Sequence, residues 1–397
     1  MAEKDAKRLR LAGLVGLKGV STSALAAIMK KLHEEPMEVM SERQLNNVIA
    51  DTYAEVGHTI ELPLSKGGCF GWKICRIDKL MAFYAKNSEA YRQMLIAAAR
   101  ASSDGHLNTI VYLDEVTPGN LLRLDNQRTF WSFYIGFREM PQSTTPREQY
   151  WLPLGVLRTY KAHEVLGGVS NVFRLLLRSI LLAPANGDVG FAIQLEVPQL
   201  IKLRISNSLG DEAALKQVYS NKGAAGLRPC MLCRNIVSLG SDLLAGQSCL
   251  QDVSCSDPSL FGPATDDSIW QTYDTLKAKC HTLTKTTFAT LEKASGLNFN
   301  RHGLLSDLEL RRYVHPVSTF TMDWLHNFLC HGVATIEVTA FLELCRTEIG
   351  LSFRQLDTFV KSDWSWAKSQ SVNVASVIDL FDPAKEKQDS EHQGRRC

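Results

Sequence analysis

Residues 108–116 read NTIVYLDEV. Five of these nine are β-branched or aromatic, and the acidic pair Asp114-Glu115 stands near the end of the run, shortly before the turn-forming Pro118-Gly119-Asn120. That composition and that stop signal predict a β-strand. Two similar runs follow, residues 129–138 (TFWSFYIGFR) and 150–158 (YWLPLGVLR), close enough to predict an antiparallel meander. Residues 161–182 then carry Leu166, Val169, Val172, Phe173 and Leu176 at helical spacing, which predicts a long helix. Beyond Asn186-Gly187-Asp188 the period returns to two in residues 198–206 (PQLIKLRIS), a fourth strand leading to Asp211 and a helix-prone run from Glu212. Three strands, a helix, a strand and a helix is the RNase H-like order. The expected fold class is therefore α/β, an RNase H-like mixed sheet, with the ends of the first and fourth strands side by side. That would bring Asp114 next to Asp211.

The rest of the chain is divided around this core. Residues 1–105 are expected to be a helical N-terminal region, from helical spacing in 21–32, 41–56 and 81–101, with a Gly-rich break at 66–72. Residues 106–233 form the first part of the core. Residues 234–320, mixed polar and helix-prone with loops near 254–258 and 261–263, read as a helical insertion. Residues 321–382 are expected to complete the core with helices, 321–349 being one long helix or two abutting ones. The polar residues 383–397 read as a disordered tail.

The totals exclude several classes. A chain of 397 residues that is 45% hydrophobic and 22% charged is ordinary for a globular protein. Its formal net charge of +2 does not mark a nucleic-acid binder, so a binding surface would come from local clustering. Lys4, Lys7, Arg8, Arg10 and Lys18 make one such cluster, for which a solvated helix face is the simpler reading. No apolar run reaches the roughly 20 residues of a membrane span, and no signal peptide is apparent. Ten cysteines without a targeting signal read as reduced thiols of an intracellular protein.

Two groups of residues could carry chemistry. Asp114 and Asp211, each at a strand end, are the kind of oxygen ligand that holds a pair of divalent ions for phosphodiester hydrolysis, and Mg²⁺ or Mn²⁺ suits them. The plainer alternatives are a turn-initiating Asp114 and a helix-capping Asp211. Cys230-Met231-Leu232-Cys233 follows Pro229, and thiolates at that spacing can share one Zn²⁺. His326 and His331 have the spacing of the second half of such a site, with Cys330 and Cys280-His281 as other partners. A redox pair or two buried thiols are the alternatives.

Three blocks together resemble the CACTA (En/Spm)-type DNA transposases and, more distantly, the Transib-like recombinases. The first runs from Leu113 to Asn120. The second is Gly210-Asp211-Glu212, continuing through Asn221-Lys222-Gly223 to Pro229-Cys230-Met231-Leu232-Cys233. The third is Met322-Asp323-Trp324-Leu325-His326. They occur in the family order across about residues 108–345. The resemblance implies catalytic roles for Asp114 and Asp211 and structural zinc on Cys230, Cys233, His326 and His331. It implies a third catalytic acid on a helix beyond the histidines. Glu337 is the first acid there, followed by Glu343, Glu348 and Asp357. An acid beyond residue 397 is the alternative, which would make this a truncated or domesticated copy. Two-metal cleavage and strand transfer at transposon ends, in the nucleus, by a homo-oligomer on DNA and away from any membrane, is what the family implies. The pattern departs from the family in lacking a proline soon after Asp211.

Overall fold

Alternation decides which side chains of each strand meet the core, and it can be followed from the first element onward. The computed structural model describes residues 51, 54–117, 129–145, 147, 150–239, 241, 249–329, 333–350, 352 and 355. The predicted helix at 21–32, most of that at 41–56, the basic cluster before residue 20, Cys330, His331, Asp357 and the tail lie outside these. A compact unit begins at His58.

Its elements begin with a hairpin, β1 (Gly57–Pro63) and β2 (Cys69–Cys75), then helices α1 (Ile77–Asn87) and α2 (Glu89–Ala101). Strands β3 (His106–Val116), β4 (Phe130–Phe137) and β5 (Leu152–Arg158) follow, then α3 (Thr159–Glu164) and α4 (Gly168–Leu181). After β6 (Phe191–Gln194), β7 (Pro198–Gly210) and α5 (Glu212–Val218) come a short pair, β8 (Ile236–Val237) and β9 (Gln251–Asp252). Helices α6 (Asp266–Lys279) and α7 (Lys285–Ser295), strand β10 (Phe320–Met322) and helix α8 (Val333–Leu344) complete the described chain.

The class is α/β with a mixed sheet. Strands β5, β4, β3, β7 and β10 lie side by side in that order, with β6 paired to the start of β7. β3 runs antiparallel to β4, and β4 to β5, whereas β7 is parallel to β3 and β10 parallel to β7. Helix α4 connects the meander to β7 and turns Val172, Phe173, Leu176, Leu177 and Ile180 inward, where they are all but fully buried. Burying such side chains is worth about 1.5–3 kcal/mol each. Phe173 stacks on Phe133 of β4 at 6.4 Å.

The structure departs from the sequence reading in four places. The Gly-rich break at 66–72 spans the end of the β1–β2 turn and the start of β2, so the N-terminal region is not wholly helical; Trp72 of β2 donates to the Val156 carbonyl of β5 at 2.8 Å. The helix expected at 81–101 is two, because Ser88 is extended and caps the second, accepting from the Tyr91 amide. The helix expected at 161–182 is also two. Gly167 and Gly168 break it with φ of +86° and +61°, a conformation that favours glycine. Finally, residues 320–322 form a strand where a helix was expected, and β7 continues past residue 206 to Gly210.

That last extension contains a β-bulge. Ile205 pairs with Thr109 and Asn207 with Ile110, so Ser206 has no partner across the ladder. Before the bulge the buried residues of β7 are Ile201, Leu203 and Ile205; after it they are Ser208 and Gly210. One extra residue therefore exchanges the faces. The Ser206 hydroxyl donates to the Thr109 carbonyl at 3.1 Å. Just below, the buried Tyr219 hydroxyl bonds Ser208 Oγ at 2.9 Å and Thr319 Oγ1 at 3.1 Å, tying α5 to β7 and to the approach to β10.

Residues 234–320 carry α6 and α7 and return along α4. The buried Asp307 accepts from Arg174 and Arg178, both at 3.0 Å. Burial alone would raise its pKa, but the Leu310 amide and the two guanidiniums outweigh it and hold the carboxyl below its usual range.

Ser206→Ala should cost only about 0.5–1.5 kcal/mol, one hydrogen bond, whereas deletion of Ser206 should abolish cooperative unfolding by inverting one end of β7. Urea denaturation monitored by circular dichroism compares them; equal effects would contradict the bulge as the register device. Tyr219→Phe should cost about 1–3 kcal/mol, since it strips a partner from two buried hydroxyls.

Candidate active site and cysteine knuckle

The bulge decides which way Asp211 faces. In β3 the buried residues are Leu107, Thr109, Val111 and Leu113, so Ile110, Tyr112 and Asp114 share the half-open face. Tyr112 pairs with Leu209 across β3–β7, and Asp114 and Asp211 each stand two residues further on. Without the bulge Asp211 would have the parity of Ile205 and point to the core. β10 adds a third position: Thr321 pairs with Leu209 and Met322 with Gly210, and the Asp323 amide donates to the Gly210 carbonyl at 2.8 Å. Asp114, Asp211 and Asp323 thus stand level at the ends of three adjacent parallel strands, about 4.8 Å apart from strand to strand. Gly210 permits this closeness, since a Cβ there would sit 2.8 Å from the Leu113 carbonyl oxygen.

Each carboxylate has a local donor. Tyr112 donates to Asp114 Oδ2 at 3.2 Å, and Asp211 caps α5 by accepting from the Ala214 amide at 2.6 Å. Asp323 Oδ2 is 2.7 Å from Nδ1 of His326, on the π-helical turn Leu325–Leu329. The capping role foreseen for Asp211 is therefore present, and it occupies only one of its two oxygens. Among the described residues no three His, Cys, Asp or Glu side chains are arranged to hold one ion. The three aspartates are level along the sheet, each turned to its own partner.

Their charges nevertheless act on one another. Burial pushes the half-buried Asp114 above the ordinary carboxylate range and the Asp211 charge adds to this, against the opposing Tyr112 hydroxyl and His326. His326 is pushed up mainly by its bond to Asp323, with Asp114 and Asp211 contributing. Burial raises Tyr112, and the charges of Asp114, Asp323 and Asp211 raise it further. One tyrosine and one histidine thus feel all three acids, and an anionic pocket of this kind attracts a hard cation.

Cys230 and Cys233 come together in a knuckle. Cys233 bridges to Pro263, and the amides of Arg234 and Ala264 bond Gly262 and Leu232 across it at 2.8 and 2.9 Å. Burial, then the neighbouring Cys230, pushes the Cys233 thiol up to about 11. His326 faces the aspartates, and its Nε2 has no hydrogen-bond partner among the described residues. A histidine that gives Nδ1–H to a carboxylate and keeps Nε2 free is oriented as in carboxylate–histidine–zinc arrangements. Glu337 is exposed on α8, Glu343 is paired with Arg346, and Glu348 is exposed.

Asp323 was not singled out as a site residue on sequence grounds. The signal was available: it directly follows a short strand-prone stretch, Phe320-Thr321-Met322. Reading that stretch as the start of a helix concealed it. No protein-family model and no curated protein matches the chain.

His326 should titrate above about 6.5 by NMR, and Asp323→Asn should bring its midpoint down. An unchanged midpoint would remove Asp323 as its partner. The sign for stability follows: a raised histidine favours the folded state below the unfolded pKa and loses that contribution as pH rises through the folded value. Asp114 is also raised, so its charged form opposes folding at neutral pH. Asp114→Asn should raise the Tm of metal-free protein by roughly 1–3 °C at pH 7, the gain shrinking as pH falls through the carboxylate range.

Proposed function

We propose that the chain is a DNA transposase-like protein of RNase H-like fold whose Asp114 and Asp211 hold divalent metal for phosphodiester hydrolysis and strand transfer at transposon ends. The observation that carries this is the level row of Asp114, Asp211 and Asp323 at the ends of adjacent parallel strands. In support of the RNase H-like reading, β5, β4 and β3 form an antiparallel set and β7 lies parallel beside β3. The resemblance of the three sequence blocks to CACTA-type transposases supplies the substrate, the nuclear location and the homo-oligomer on DNA.

Bound Mg²⁺ or Mn²⁺ would activate the attacking oxygen and stabilise the leaving one. The protein's own part is positional. Asp114 keeps one oxygen turned from Tyr112, and Asp211 one turned from the helix amide, so each has a lone pair to give. Asp323 is a third carboxylate in reach of the same edge, and Glu337 keeps the place that the family resemblance gives to an acid on the later helix. The resemblance implies zinc on Cys230, Cys233, His326 and His331; the two thiols lie together in the knuckle, whereas His326 is paired with Asp323 beside the aspartate row.

The test is nicking of duplexes taken from the two ends of the DNA element that encodes the chain, with Mg²⁺ and with Mn²⁺. Cleavage should appear with either ion and fall at least about 100-fold in Asp114→Ala and in Asp211→Ala. Binding without cutting would favour a truncated or domesticated DNA-binding derivative. Neither binding nor cutting would reject the proposal. Metal analysis of the same preparation should give zinc, lost in Cys230→Ser.

A further inference from the structure

Along α5, from its first turn onward, lies a groove of about 490 Å³ between the start of α4, one face of α5 and the loop after α7. The α5 side is Ala213, Lys216 and Gln217, spaced as one helical face, with Ser220 just past the end of the helix, and Asn298 and Asn300 also line the groove. No carboxylate lines it.

The groove is rich in donors. Helix α4 is 14 residues long and opens on Gly167, which provides no side-chain cap; the Gly168 amide bonds the Val165 carbonyl at 2.8 Å, which leaves the Val169 and Ser170 amides without a capping side chain. A Cβ added at Gly168 would meet nothing within 4 Å, so the approach is open. A helix start alone would not make a site. Asn221 is the independent observation. It is 8% exposed and lines the groove, and its Oδ1 is committed to the Gly223 amide at 2.5 Å. Its Nδ2 has no partner among the described residues and is not wholly enclosed, so it reaches solvent where Asn221 lines the groove. The neighbouring Ser220 is equally enclosed, 9% exposed, has φ of +56°, and its hydroxyl also lacks a partner. A strained, buried Ser-Asn pair with idle donors beside a lysine and a helix N-terminus is a set that an anion would satisfy.

We infer that this groove binds a phosphate group, held by Asn221 Nδ2, Ser220 Oγ, Lys216 Nζ and the first amides of α4, and that the phosphate is one of a DNA backbone. The second half of the inference rests on the proposed function; the first half does not. Lys216 also pairs with Glu212 at 3.4 Å, an exposed partner that an incoming phosphate would displace. The groove starts at Ala213, two residues past Asp211, so a strand contacting it would run along α5 toward the aspartate row.

The test uses the full chain and two variants. Asn221→Asp keeps the oxygen that accepts from Gly223 and replaces the idle donor with a negative charge. Lys216→Gln removes a charge from a solvent-facing position and guards against misfolding of the first variant. Inorganic phosphate, titrated by calorimetry in chloride buffer, should bind the parent protein with a Kd below about 10 mM, and each variant should bind at least about tenfold more weakly. No phosphate binding by the parent, or equal binding by both folded variants, would overturn the site. In a second arm, anisotropy of a labelled duplex should show weaker binding by both variants, and Lys216→Gln should lower the log–log salt slope by about 1. Phosphate binding lost with duplex binding unchanged would overturn the DNA assignment and leave a small phosphorylated ligand. Failure of metal-dependent nicking would reject the nuclease reading without altering the phosphate result.

Discussion

Ser206, the residue with no partner across the β3–β7 ladder, governs the geometry around it. A strand has period two, and one inserted residue turns every later side chain to the other face. The first half of β7 sends Ile201, Leu203 and Ile205 to the core, and the second half sends Ser208 and Gly210 there. The insertion therefore delivers Asp211 to the face of Asp114. It also places Ser208, a small polar residue, where Tyr219 and Thr319 satisfy it. A larger residue at 210 would be excluded by the Leu113 carbonyl. The bulge, the small residues behind it and the buried hydroxyl network form one arrangement, because each answers a constraint that another creates.

On the open side of that arrangement the physics is electrostatic. Three carboxylates on adjacent strand ends repel, and the fold disperses the repulsion by giving each its own donor: a phenol, a helix amide and an imidazole. Burial first, and then the neighbouring acids, raise Asp114 and Tyr112, while His326 is raised first by its bond to Asp323. Such a cluster opposes folding slightly and is the kind of strain expected where a cation is to be received. In the proposed reading, a pair of divalent ions replaces those local donors. Arg174 and Arg178 are spent on Asp307, binding residues 304–310 to α4, and Lys216 lines the groove along α5.

The sequence by itself determined the α/β class and the strands β3, β4, β5 and the first part of β7, because β-branched and aromatic runs bounded by turn residues leave few other options. It also singled out Asp114, Asp211 and the Cys230–Cys233 pair as chemically competent. It did not separate α3 from α4 or α1 from α2. Those breaks depend on single residues, the positive-φ glycines 167–168 and the capping Ser88, inside otherwise helical patterns. The hairpin at 57–75 was concealed for a similar reason: its turn is plain, but its short strands gain their stability from β5, far away in sequence. Only the tertiary structure decided the row of three aspartates. A strand of three residues such as β10 has no local signature; it exists because β7 offers it a free edge. The bulge at Ser206 is equally silent, since an extra residue is visible only against its partner strand. Asp323 and the facing of Asp211 follow from register, and register is a relation between segments about 100 residues apart that no local pattern records.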